Sequence, residues 1–193
     1  EGYSPSRSRI VDALNHRLHL FPLTGHDVCM LNDGNYTEVL SRVGKLAQGS
    51  RLVIADPLRR FHDGDENDSG AMTRLVQGFE RIAMATQSAV LLAHHTSKAA
   101  TLGGQGDLQQ AARGSSALTD GVRWQANLTS MPTKTATDLG LAAEEAKFLV
   151  RFDISKSNYG APQAPAWLRR LPGGVLTKTL LFLKLYSDVS NTN

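Results

Sequence analysis

Cysteine is almost absent from this sequence. Cys29 stands alone among 193 residues, so no disulfide can close within the chain. A fold of this length can hold by its core instead. One unpaired cysteine fits a reducing compartment, and a cytoplasmic location is the expectation. No apolar run approaches the ~20 residues of a membrane-spanning helix, so no membrane is expected among the partners. Long blocks of like charge are missing, as is a charged-then-apolar leader at the amino end. The chain opens on Glu1 rather than Met, as a fragment or processed product would.

What is present is ordinary for a globular protein: 41% hydrophobic and 20% charged residues, with a net charge of +3. A sequence pI near 9.2 permits a nucleic-acid partner without demanding one. The length suits one domain spanning residues 1–193.

Along the chain, "SRSRIVDALNHRLHLF" (6–21) places Ile10, Leu14, Leu18 and Phe21 on one helical stripe, with Ser4 or Ser6 as cap and Pro5 at the start. "HDVCML" (26–31) reads as a short buried strand ended by the turn-former "NDGN". Residues 36–49 read as a helix with Val39, Val43 and Leu46 inward and Gly49 beyond its end. "RLVIAD" (51–56) and "SAVLLAHH" (88–95) are continuous apolar runs, the pattern of strands buried on both faces. Between them, residues 71–87 form an amphipathic helix with Leu75, Val76, Phe79 and Ile82 on its stripe. A Gly- and Gln-rich loop (102–110) leads to a short helix near 111–119. Strands are expected at 122–131 and 146–157, followed by a hairpin around "PGG". Strand, helix, strand at this spacing is a βαβ pattern. The expected class is α/β, with a mainly parallel twisted sheet flanked by helices and an antiparallel extension at the carboxyl end.

In such sheets ligands bind beyond the carboxyl ends of the strands. Asp56 ends one strand and His94–His95 end the other. Four apolar residues before an Asp have the form of a Walker B segment, whose carboxylate holds Mg²⁺ through water. On this motif alone a plain strand end stands equally well. His94 and His95 could sense a γ-phosphate or simply bond to backbone. A metal site built from Asp56, His94 and His95 is opposed by the opposite faces that adjacent strand residues point to. The acidic loop "DGDEND" (63–68) fails as an EF-hand: its sixth position is Asp68 instead of Gly and its twelfth is Arg74 instead of Glu. It reads as a solvated loop. The Arg59–Arg60 and Arg169–Arg170 pairs and "GLAAEEAKF" read as surface charge. Residues 108–125 join a loop of small and donor side chains to a helix start, which suits phosphate contact or a plain surface loop.

Taken in order, "LRRFH" with "EN" and "SG" (58–70), "HHTSK" (94–98), "QQAARGSSAL" (109–118), "VRWQ" (122–125) and "RFDISKSNYGAP" (151–162) resemble the plasmid RepA type of hexameric replicative DNA helicase, a RecA-like ATPase. The resemblance covers roughly residues 50–180. It implies a RecA-like core that hydrolyses ATP with Mg²⁺ at the subunit interfaces of a homo-hexameric ring and moves on single-stranded DNA. By the same resemblance, Asp56 is the carboxylate near Mg²⁺, and His95, with His94 as the alternative, is the sensor beside the nucleotide. Arg123 is a finger reaching a neighbouring subunit's nucleotide, and Lys156 is a second cation near it. Lys98, Gln109, Gln110 and Arg113 belong to the loop facing DNA. Glu1, ahead of an amphipathic helix, resembles the water-activating carboxylate.

The family also needs a P-loop, G-x-x-x-x-G-K-[ST], and no such segment occurs in these residues. The expectation is a chain that starts after the amino-terminal P-loop unit and, alone, is inactive. Two other readings remain: a non-catalytic RecA-like module binding DNA or protein, and a metal hydrolase using Asp56 and the histidines.

Overall fold

A computed structural model describes residues 6–95 and 116–179. The strongest sequence signal becomes the centre of the fold. Helix α3 (Ser69–Thr86) starts where the Asp68 carboxylate accepts from the Gly70 and Ala71 amides, a cap that satisfies two otherwise orphaned donors. Its stripe of Met72, Leu75, Val76, Phe79 and Ile82 is buried against Met30, Leu31, Ala55, Leu58 and Phe61. Phe61 and Phe79 meet edge to face at 5.5 Å. Each such buried side chain contributes about 1.5–3 kcal/mol of transfer free energy.

Strand β3 (Leu52–Ala55) pairs in parallel with β4 (Ala89–Leu92), on either side of α3 in sequence. This is the expected βαβ unit. Its strands do differ from the expectation in one respect. Continuous apolar composition predicts burial on both faces, yet Leu52, Ile54 and Leu91 are exposed while Val53, Ala55, Val90 and Leu92 turn toward the α3 core. An apolar run reports composition, not how many layers cover it.

Ahead of this unit, α1 (Arg7–Arg17) ends short of Phe21, and Ile10, Leu14, Leu18 and Phe21 are all exposed. Residues 26–31 do not form the expected strand. The Asp27 carboxylate accepts from the Cys29 amide and turns the backbone there. Only a two-residue ladder survives, β1 (Leu31–Asn32) against β2 (Asn35–Tyr36), around the predicted turn at Asp33–Gly34. Helix α2 (Glu38–Leu46) is capped by Thr37 and packs Val39, Leu40 and Val43 on the core, but Leu46 points outward. Gly49 takes the left-handed φ expected just past a helix end.

Helix α4 (Ser116–Gly121) packs on α3 and runs into β5 (Trp124–Ser130). Strands β5, β6 (Leu149–Ser157), β7 (Ala166–Arg170) and β8 (Leu176–Thr179) make an antiparallel sheet in that order, with a bulge at Gln125/Ala126. The hairpin around "PGG" is present as β7–β8. Two short helices that the sequence pattern does not announce, α5 (Thr133–Asp138) and α6 (Ala143–Ala146), form a second small core with Met131, Leu149 and Trp167. "GLAAEEAKF" is therefore not surface charge alone: Ala146 is buried and Glu145 pairs with Arg169. No helix among the described residues is long and apolar enough to cross a membrane.

Candidate functional site

The carboxyl ends of β3 and β4 are held together beyond the strands. The Ala93 amide donates to the Ala55 carbonyl at 2.9 Å, and the Leu58 amide donates back to Ala93 at 2.8 Å. Asp56 sits inside this exchange with its carboxylate exposed, joined to Pro57 by a cis peptide. His94 follows Ala93 and is half-buried, and His95 is exposed. The fold thus brings Asp56 and both histidines to one edge, as the sequence predicts.

Behind this edge lies a cluster that sequence reasoning misses. His62 is buried, and its Nε2 has no hydrogen-bond partner among the described residues. Burial, then the Arg59 guanidinium, holds its imidazole below the ordinary histidine value. Arg59 donates to the His62 carbonyl at 2.7 Å, lies 3.4 Å from its Nδ1, and approaches Glu66 at 3.8 Å. The Glu66 side chain is only 12% exposed, so the acidic loop is not wholly solvated. Arg59, Glu66 and Asn67 line a shallow polar pocket with Gly64 and Asp65. Arg60 donates to the Leu23 and His26 carbonyls at 2.7 and 3.1 Å. These arginines are therefore structural clamps rather than free surface charge. Nothing in local spacing signals the Arg60 contacts, which lie 37 and 34 residues away in sequence.

Two further expected residues lie at or beside the other sheet. Arg123, between α4 and β5, is exposed. The Lys156 ammonium is engaged by the Thr119 and Asp120 carbonyls at 2.7 and 3.2 Å. Glu1, Lys98, Gln109, Gln110 and Arg113 lie outside the described residues. Cys29 donates its thiol to the Leu31 carbonyl, and burial first, then Asp63 and Asp27, raises its pKa above the ordinary value.

An exposed carboxylate at a parallel strand end suits a hydrated Mg²⁺. A phosphate cradle of the P-loop pattern is not among these residues. No group of three or more His, Cys, Asp or Glu among the described residues could hold a metal ion. The metal-hydrolase reading loses its ligand set.

Residues 4–101, just over half of the sequence, match the AAA domain family. The chain belongs to that family. Its fold is similar to that of a solved ATPase domain and of a replicative helicase. It superposes on one solved ATPase domain with a TM-score of 0.54 at 16% identity, over 74% of this chain and 50% of that one. A DnaB-like replicative helicase, solved with its interactions with primase in view, matches with a TM-score of 0.50 at 15% identity, over 69% of this chain and 33% of that one. The AAA-family chain thus spans half or less of the length of these structures. The expected α/β class, with its antiparallel carboxyl-terminal sheet, is borne out.

Proposed function

We propose that this AAA-family chain is part of an ATP-dependent replicative DNA helicase of the plasmid RepA type. The supporting observation is the edge at which Asp56 and His94–His95 emerge from two parallel strands tied by Leu58 and Ala93. Asp56 holds Mg²⁺ through water, and His95, or His94, senses the nucleotide's γ-phosphate. Arg123 reaches the nucleotide of a neighbouring copy in a hexameric ring, where a fixed guanidinium stabilises charge on the transferred phosphoryl group. Glu1 activates water. Lys98, Gln109, Gln110 and Arg113 contact single-stranded DNA, without sequence preference and with strong salt dependence. Residues 1–193 belong to one RecA-like domain of this cytoplasmic enzyme.

Because no P-loop pattern lies within these residues, the 193-residue chain turns over no MgATP above background. Where coding sequence upstream of Glu1 supplies that pattern, protein expressed with it hydrolyses MgATP, and Asp56→Asn abolishes that activity. A turnover of about 1 s⁻¹ by residues 1–193 alone, lost in Asp56→Asn, would overturn the first statement. The missing pattern also favours a second reading, a non-catalytic module that binds DNA or a replication protein. A P-loop within about 60 upstream residues, the scale of a βαβ unit with its strand and helix, decides for the helicase. An intact upstream frame without one decides for the module.

A further inference from the structure

We infer that Lys156 is a positioning residue for Arg123, a role that rests on the reading of Arg123 as a finger. The last carbonyls of a helix have no partner within it. At the end of α4 two of them, from Thr119 and Asp120, accept from the Lys156 ammonium at 2.7 and 3.2 Å. A cation there also meets the negative end of the helix. Lys156 belongs to β6, and its backbone is paired with Gln125 at the start of β5. One residue therefore grips the chain on both sides of Arg123: by its side chain before it and by its backbone after it. The intervening positions are fixed too. A Cβ on Gly121 would come within 2.8 Å of Val76 on α3, so α4 sits hard against that helix. The Arg123 carbonyl accepts from the Asn158 amide at 3.1 Å.

Residues 119–125 thus form a short arch stapled by Lys156, with the Arg123 side chain exposed at its crest. Such a mount fixes the backbone from which the Arg123 side chain springs, so less ordering is left when a nucleotide arrives. Two of the three ammonium donors are already used. This makes Lys156 a support for the finger rather than a second phosphate contact.

The test has two arms. In protein expressed with its upstream sequence, with single-stranded DNA and MgATP, Lys156→Met lowers kcat roughly tenfold to a hundredfold with little change in KM. Lys156→Arg restores most of the loss. The double variant Lys156→Met/Arg123→Ala is no slower than Arg123→Ala alone, because the staple acts through the finger. Additive losses would overturn the proposal in favour of an independent contact. In the second arm, amide exchange is followed over residues 119–125 of the 193-residue chain. Lys156→Met speeds exchange at Val122 and Arg123, while Lys156→Arg does not. Unchanged exchange in Lys156→Met overturns the staple. Failure of the wild-type protein to hydrolyse ATP overturns the helicase reading, and the exchange arm still decides whether Lys156 holds the arch.

Discussion

The amide of Leu58 donates to the carbonyl of Ala93 at 2.8 Å, so the segment leaving β3 stays tied to the segment leaving β4. Leu58 is also among the most deeply buried side chains, at 1% exposure, while Asp56 two residues earlier is exposed. Structural and chemical duties are therefore divided between neighbours. Leu58→Ala should cost about 2–5 kcal/mol of stability. Asp56→Asn should move it by no more than about 0.5 kcal/mol. Urea midpoints of the two variants check this. A large loss in Asp56→Asn would mean that the carboxylate holds the fold rather than a ligand.

His62 gives the fold a pH dependence of known sign. Its imidazole is held below the ordinary value of 6.5 by burial first and by Arg59 second, with His94 acting the same way and Glu66 opposing. As the pH falls, the unfolded chain takes up this proton before the folded one. The contribution of neutral His62 is thus complete above about pH 6.5, is lost progressively below it, and levels off once the folded protein also protonates. His62→Leu removes the effect. Urea midpoints from about pH 7.5 down to about pH 5 should converge between wild type and variant in slope only at the upper end. Parallel curves throughout would show that His62 does not titrate differently in the fold.

Much of this architecture is legible in the sequence. Helix α3 carries a clean 3.6-residue stripe, and its buried face is where the pattern puts it, whereas the Asp68 cap and the start at Ser69, inside what reads as a solvated acidic loop, are not announced. The runs at 51–56 and 88–95 hold the strands Leu52–Ala55 and Ala89–Leu92 for the same reason: they are apolar, short and separated by one helix. The exposure of Leu52 and Ile54 is not legible, because coverage depends on elements elsewhere. Residues 26–31 mislead because apolar composition outweighs the local bond from Cys29 to Asp27. The helices at Thr133–Asp138 and Ala143–Ala146 are too short to show a stripe. His62 is invisible as a buried polar group, since its burial comes from packing around the segment after Asp56.

Two glycines mark close approaches of different stiffness. A Cβ at Gly121 would meet Cγ1 of Val76 at 2.8 Å; one at Gly78 would meet the flexible Cε of Met30 at 2.9 Å and the Tyr36 ring edge at 3.0 Å, which a shift of a few tenths of an ångström relieves. Valine is fixed at its first torsion, whereas a methionine end can swing aside. Gly121→Ala should therefore destabilise the protein by about 1–3 kcal/mol, and Gly78→Ala by less. Val76→Ala added to Gly121→Ala should recover part of the loss, which thermal unfolding of the four proteins will show. Equal costs at the two sites would contradict the distinction.

Arg60 tests how far one guanidinium organises the segment before β1. Its two bonds reach carbonyls 37 and 34 residues away, at Leu23 and His26. Those carbonyls lie in a stretch with little regular structure, between α1 and the β1–β2 hairpin. Arg60→Ala removes both charge-assisted bonds and should cost about 1–3 kcal/mol if the carbonyls find no substitute. Because the segment lies at the surface, water can replace part of that, so the sharper readout is local. Limited proteolysis between residues 18 and 30 should accelerate several-fold in Arg60→Ala, while cleavage within α3 stays unchanged. Both bonds leave one guanidinium nitrogen, Nη2; lysine at position 60 keeps a charged donor but on a flexible stem of different reach, so Arg60→Lys should fall between wild type and Arg60→Ala. Cleavage rates identical to wild type in both variants would show that the segment is held by its packing alone.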